Sequence, residues 1–295
     1  MNKLRFNNCI ILCVVFLYCT FSALAQAEQA STPADVPAQE VQPEKDASSE
    51  APVEFNKDYF KAYVTDFKSI ITSPGRWDSS DWITASIVTG ISVGLFTQDD
   101  KIQTWVQKHK NRTTSHLSDD AKQIGAYSVP AVIGLGLYGY AASDAKAKKT
   151  FLLSAESFIV TGAFVQVLKR STGRHRPFTG DSHDTWSVPS ISGNNDHHSF
   201  PSGDASSAFA IASVVASEYN NVIVPPLVYT ASTLIALVRV HNNGHWSSDV
   251  FVGSAIGYFT GKAIVASHRG SGESRLSLAP MMTGDSMGMC LAYKF

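Results

Sequence analysis

Residues 150–168 read TFLLSAESFIVTGAFVQVL, a run of apolar and small residues that is too long for a typical strand and suits a helix. Further apolar stretches of helical length occur at 82–97, 124–142, 207–218, 222–240 and 249–266. Their glycines and alanines would let neighbouring helices approach closely. The sequence therefore predicts an all-α fold, a bundle of about six core helices.

The N-terminal part of the chain differs from the rest in composition. Residues 1–25 combine a positively charged start, an apolar run and small residues at Ala23 and Ala25, which is the pattern of a cleaved secretory signal peptide. Residues 26–53 are rich in Ala, Glu, Gln, Pro and Ser and contain almost no large apolar residue, so we expect a disordered linker. The helical domain is then expected at residues 54–270.

The C-terminal part has a different periodicity. Apolar residues alternate strictly with others at Met287, Met289, Leu291, Tyr293 and Phe295. A turn sequence precedes them, and the alternation is typical of strands. Residues 271–295 are therefore predicted to form a small C-terminal β-hairpin.

Overall charge argues against a nucleic-acid partner. The chain has 24 Lys and Arg against 25 Asp and Glu, a net charge of -1, so it offers no general basic field. Any site for an anion must therefore be built locally.

The relation to a membrane stays open at this point. Several apolar stretches are long enough to cross a bilayer, but they carry interior polar residues such as Glu156, Gln166 and Lys262. If the N-terminus is exported, six spans would place the loop between the third and fourth helices in the cytoplasm. We therefore expect a protein of the periplasm or cell envelope, soluble or peripheral to the membrane; the alternative is an integral inner-membrane protein.

Three polar segments interrupt the apolar stretches, each at the expected end or start of a helix. They read KRSTGRHRP at 169–177, FPSGD at 200–204 and RVHNNGHWSSD at 239–249. A tetrahedral dianion needs fixed cations and free backbone N–H groups, and the start of a helix supplies such N–H groups. The cations would be Lys169, Arg176 and Arg239, and the helix start would follow Ser202.

A nucleophile for phosphate is also present. Asp249 follows His245 by four residues, so on one helix their side chains would share a face. The carboxylate could then hold one imidazole nitrogen and leave the other free to attack. Such a mechanism passes through a phosphohistidine that water hydrolyses, and it requires no metal and no other cofactor.

In order and spacing, these segments resemble the three-part signature of the type 2 phosphatidic acid phosphatase superfamily, which also includes bacterial class A acid phosphatases and vanadium haloperoxidases. The resemblance covers roughly residues 80–267. It implies five phosphate-binding residues, Lys169, Arg176, Ser202, Gly203 and Arg239. It further implies that His245 is the nucleophile and Asp249 its orienting partner.

Two positions depart from the pattern of the superfamily. Val238 stands where a Ser usually precedes the third-segment arginine, and Asp204 stands where a His usually protonates the leaving group. An aspartic acid can do this if burial or nearby carboxylates raise its pKa. We expect Asp204 to serve as the acid; the alternatives are His197 or His198 in that role, or a slow enzyme.

The sequence thus predicts a metal-independent phosphoric monoester hydrolase that acts on a lipid phosphate or a small organic phosphate. Two other functions remain as alternatives. The same cationic pocket could hold vanadate in a haloperoxidase, or the fold could serve as a non-catalytic envelope scaffold. Neither the substrate nor the oligomeric state can be read from the sequence.

Overall fold

The computed structural model describes residues 57–188 and 195–269, with side chains from residue 63 onward, and the backbone of two short C-terminal segments. In residues 57–188 and 195–269 the chain forms eight α-helices. They are α1 (Lys57–Thr72), α2 (Ser79–Phe96), α3 (Asp99–Lys108), α4 (Arg112–Ala141), α5 (Ala145–Thr172), α6 (Gly203–Glu218), α7 (Val224–His241) and α8 (Ser247–His268). The predicted all-α fold is confirmed.

The six predicted apolar stretches correspond to α2, α4, α5, α6, α7 and α8. Several of these helices extend beyond the apolar residues. The clearest case is α4, which begins at Arg112 because the Asn111 side chain accepts a hydrogen bond from the backbone N–H of Thr114 at 3.0 Å. The short polar helix α3 was not predicted, since it has no long apolar run.

Helices α6 and α8 pack at unusually short distance. A Cβ atom added to Gly257 of α8 would lie 2.0 Å from the carbonyl oxygen of Ser206 in α6. Gly253 and Gly261, one turn before and after, face α6 in the same way. Because these positions lack side chains, the backbones touch, and the N–H of Ser202 donates to the carbonyl of Asp249 at 3.0 Å. The second and third polar segments are thereby held together.

A hydrophobic cluster joins three of the helices to α1. Its buried members are Leu153, Val160, Val214, Ile264 and Val265, from α5, α6 and α8. Tyr63, Phe67 and Ile70 of α1 pack against this cluster at spacings of three and four residues. The amphipathic helix α1 therefore lies on the bundle.

The outer faces of the bundle are apolar. Trp82, Ile83, Ile87, Tyr127 and Leu137, from α2 and α4, are all more than half exposed. Four of the described helices, α4, α5, α7 and α8, are long and apolar enough to cross a membrane. Water-soluble monomers rarely expose so many large apolar side chains on their helices, so these faces are typical of a membrane-associated protein.

Residues 52–265 form one compact unit, and the two ends of the chain fall outside it. At the C-terminus, backbone strands β1 (Leu276–Thr283) and β2 (Ser286–Tyr293) pair antiparallel. This backbone pairing does not by itself support a C-terminal hairpin domain, which stays a prediction for residues 271–295. The predicted signal peptide and linker, residues 1–25 and 26–53, also lie outside the described residues.

Candidate active site

The three polar segments meet at one end of the bundle. Lys169 lies in the last turn of α5, which ends where Gly173 adopts a left-handed conformation with φ 58°. Ser202 is the N-cap of α6, and Arg239 lies in the last turn of α7. Asp249 is in the first turn of α8. Segments far apart in the sequence are thus brought together by the alternating directions of successive helices.

Two of the predicted phosphate-binding cations are buried beside His245. Lys169 is 7% exposed and Arg176 8%. A terminal nitrogen of Arg176 lies 3.4 Å from Nε2 of His245 and donates to the carbonyl of Gly244 at 3.1 Å. Burial, followed by repulsion from Arg239, lowers the pKa of Arg176. The cluster therefore carries positive charge that an anion would stabilise.

The start of α6 completes the anion-binding arrangement. Ser202 is fully buried, and its hydroxyl has no hydrogen-bond partner among the described residues. Gly203 follows as the first helical residue, where backbone N–H groups are unpaired. An added Cβ on Gly203 would lie 3.8 Å from Cε of Lys169. The helix start is therefore close to a cation, and a bound anion could contact both.

His245 and Asp249 are placed differently from the prediction. His245 precedes α8, which begins at Ser247, so the two residues do not share a helix face. Nδ1 of His245 lies 3.7 Å from Oδ2 of Asp249, which is beyond hydrogen-bond distance. That oxygen accepts instead from the Ser199 hydroxyl at 2.5 Å and the N–H of Trp246 at 2.9 Å. The carboxylate faces the imidazole from a fixed position.

The environment of His245 favours its neutral form. Its side chain is 2% exposed. Burial lowers the pKa of His245 to about 4, helped by the charges of Lys169 and Arg176 and opposed by Asp249. A neutral imidazole has a free lone pair at physiological pH, which a nucleophile requires.

Asp204, the residue expected to serve as the acid, is not buried. Its side chain is 58% exposed, and its Oδ2 lies 2.9 Å from Nε of Arg239. One of the three predicted phosphate-binding cations is therefore ion-paired within the protein. Of the alternative acids, His198 offers its backbone carbonyl to Lys169 at 2.6 Å, and His197 stacks on His175 with ring centroids 4.1 Å apart.

A cavity of about 530 Å³ adjoins Asp204 and Arg239. Residues of α4, α5, α6 and α7 line it, and most of its wall is apolar, for example Val129, Phe158 and Ile235. A cavity with an apolar wall and a few polar groups at one end is the common form of a small-molecule or lipid site.

The sequence did not identify three residues that contact Asp249 or its surroundings. They are Asp99, Arg174 and Ser199. Arg174 lies inside the first polar segment, so its position in the sequence could have marked it as a site residue. Asp99 is the first residue of the unpredicted helix α3, and no neighbouring motif marks it as one.

Comparison with known proteins agrees with the resemblance seen in the three polar segments. Residues 150–273 match the model of the PAP2 superfamily. A lipid A 1-phosphatase of Porphyromonas gingivalis is 29% identical over 138 residues, which cover 45% of this chain and 28% of that protein. The chain thus aligns with less than a third of that relative's length.

Two solved structures are similar in outline. One is the crystal structure of Aquifex aeolicus LpxE, with 20% identity, 57% of this chain and 94% of that chain covered, and a TM-score of 0.46. The other is the first transmembrane PAP2 type phosphatidylglycerolphosphate phosphatase from Bacillus subtilis, with 13% identity, coverages of 71% and 93%, and a TM-score of 0.42. The resemblance that the three polar segments indicated is confirmed by the match of residues 150–273 to the model of the PAP2 superfamily.

Proposed function

We propose that this protein is a membrane-associated lipid phosphatase that hydrolyses a phosphate monoester through a phosphohistidine on His245. The observation that carries the proposal is the convergence of buried cations, an unpaired serine hydroxyl and a neutral histidine at one end of the bundle. These are the groups that phosphoryl transfer without a metal requires.

The geometry supports a two-step displacement. Lys169, Arg176 and Arg239 neutralise the phosphate oxygens, while the Ser202 hydroxyl and the Gly203 N–H donate to them. Nε2 of His245 is the attacking atom, because it lies beside Arg176 whereas Nδ1 faces Asp249. The N–P bond forms as the bond from phosphorus to the leaving oxygen breaks, and that oxygen takes a proton. Water then attacks phosphorus, which releases phosphate and regenerates His245.

A lipid substrate accounts for three independent features. The outer helices are apolar and exposed, and the cavity beside Arg239 is mostly apolar. In addition, the relative from Porphyromonas gingivalis is named a lipid A 1-phosphatase. A phosphorylated lipid could enter from the bilayer, place its acyl chains against the apolar wall and present its phosphate at the cationic end.

The proposal is tested with the full chain in detergent micelles. We expect phosphate release from a lipid phosphate such as phosphatidate, unaffected by EDTA and abolished by His245→Ala. The matched control is His116→Ala, because His116 is exposed on α4 and outside the site. Brief reaction with ³²P-labelled substrate should give acid-labile, alkali-stable label on the protein, which is characteristic of phosphohistidine.

Other outcomes would overturn the proposal. Full activity in His245→Ala would exclude the histidine mechanism. Halide oxidation with added vanadate and peroxide, in the absence of phosphate release, would favour the haloperoxidase alternative. If neither reaction occurs with any phosphorylated lipid or soluble ester, the scaffold alternative is favoured.

We further propose that Asp204 protonates the leaving oxygen. It becomes available for this role when the bound phosphate replaces Asp204 as the ion-pair partner of Arg239. Asp204→Asn should then reduce kcat on an alkyl phosphate by about 10²-fold or more, and much less on p-nitrophenyl phosphate, whose leaving group needs no proton. Measuring kcat on both substrates distinguishes proton donation by Asp204 from ion pairing with Arg239. An equal loss on both would mean that Asp204 acts only through Arg239.

A further inference from the structure

A fully buried guanidinium lies behind the proposed catalytic pair. Arg174 is 0% exposed and is the bulkiest fully buried side chain among the described residues. One terminal nitrogen donates to Oδ1 of Asp249 at 2.5 Å and to the Ser248 hydroxyl at 2.8 Å. Its Nε donates to the carbonyl of His183 at 2.9 Å. All three nitrogens of Arg174 are engaged, since the second terminal nitrogen binds Asp99.

Asp99 holds Arg174 from the other side. It opens α3, is 1% exposed, and its Oδ2 lies 2.8 Å from the guanidinium. The same carboxylate accepts from the backbone N–H of Ser248 at 3.0 Å and from the hydroxyls of Ser247 and Ser248. Asp99 thus connects the start of α3 to the start of α8, and the charges alternate from Asp99 through Arg174 to Asp249.

Aromatic rings enclose the guanidinium. Its carbon lies 4.8 Å from the ring centroid of Phe96, 5.3 Å from Trp186 and 5.5 Å from Trp246. Rings at this distance stabilise a cation and exclude water, which strengthens the ion pairs within. Trp246 directly follows His245 in the sequence and donates from its indole to the carbonyl of His175 at 2.8 Å. The aromatic rings around Arg174 are therefore connected to the third polar segment, which contains His245.

This arrangement decides which oxygen of Asp249 faces the histidine. Arg174 binds Oδ1, so Oδ2 remains on the side of His245, 3.7 Å from Nδ1. Asp249 is fully buried, and without a cation its negative charge would be very costly there. We propose that Arg174, clamped by Asp99, is a positioning residue that keeps Asp249 ionised and oriented toward His245. This inference rests on the proposed function, in which Asp249 orients the nucleophile.

Two variants test this inference. Arg174→Lys keeps the positive charge but loses the planar guanidinium group, and Asp99→Asn keeps the shape of the side chain but loses its negative charge. For each we expect kcat to fall on the order of 10²-fold, with KM for the lipid phosphate unchanged within about twofold. Inhibition by orthovanadate should also be unchanged, because the anion-binding cations are intact. Arg170→Met is the matched control, since Arg170 is exposed near the same helix end.

Coupling to Asp249 separates positioning from a general structural role. On an Asp249→Ala background, Arg174→Lys and Asp99→Asn should cause no further loss of the residual kcat, because the residue they position is gone. Additive losses on that background would overturn the inference. So would wild-type kcat in both single variants while His245→Ala is inactive. Activity retained in His245→Ala would instead overturn the proposed function itself.

Folding is checked independently by thermal melting in the same detergent. If Arg174→Lys fails to fold, Asp99→Asn alone carries the test, because it preserves the volume of the side chain and one of its two acceptor oxygens. A folded Asp99→Asn protein with unchanged kcat would contradict the inference.

Discussion

At the scale of the residue, the environment of His245 makes a prediction about pH. Burial lowers the pKa of His245 to about 4, and Asp249 is the group that raises it. The imidazole should therefore stay neutral as pH falls from 8 to about 5, although a free histidine would protonate near 6.5. Replacing the carboxylate in Asp249→Asn should lower the pKa of His245 further.

The measurement is an NMR titration of ¹³Cε1-labelled histidine in detergent micelles, with His245→Ala to assign the resonance. A midpoint near the ordinary histidine value of 6.5 would contradict the prediction, because it would mean that His245 is not desolvated.

At the scale of the element, the close packing of α6 and α8 holds the second and third polar segments together. Gly257→Ala should reduce the free energy of unfolding by about 1–3 kcal/mol, since its Cβ would meet backbone rather than a movable side chain. Activity should fall as well, because the hydrogen bond from Ser202 to Asp249 links the same two helices.

The matched control for this prediction is Gly134→Ala in α4, where no described atom lies within 4 Å of the added Cβ. Alanine is the better helix former, so this control should be neutral or slightly stabilising. Thermal melting of both variants provides the comparison. Equal melting temperatures would show that the two helices can separate without cost.

At the scale of the whole molecule, the exposed apolar faces of α2 and α4 predict strong membrane association. We expect the protein to remain in the membrane fraction after an alkaline carbonate wash and to be released only by detergent. Release by the alkaline wash would instead support the peripheral protein expected from the sequence.

The side of the membrane on which the active site lies can be measured separately. Ser182 is exposed and lies shortly after the first polar segment. In a background in which the four native cysteines are replaced by serine, Ser182→Cys should react with a membrane-impermeant maleimide in intact cells if this end faces the periplasm. Protection until the inner membrane is opened would place the site in the cytoplasm and contradict the predicted export.

The local pattern of residues was sufficient to predict the helices and the family resemblance. Apolar runs as long as 150–168 exceed the usual length of a strand and are typical of helices, so the polar segments between them are expected at helix ends. Because the spacing of Lys169, Arg176, Arg239 and His245 is a property of the chain itself, the resemblance to the PAP2 superfamily could be predicted without coordinates.

Only the tertiary structure decided what surrounds these residues. Asp204 was expected to serve as the acid, but packing leaves it exposed beside Arg239, a neighbour 35 positions away that no local pattern indicates. Likewise, Asp99 and Arg174 meet Asp249 because three helix ends converge, and ion pairs between residues 75 positions apart depend on that convergence. Helix formation follows short-range periodicity, whereas burial and charge pairing depend on long-range packing, and this is why the sequence determined the first and not the second.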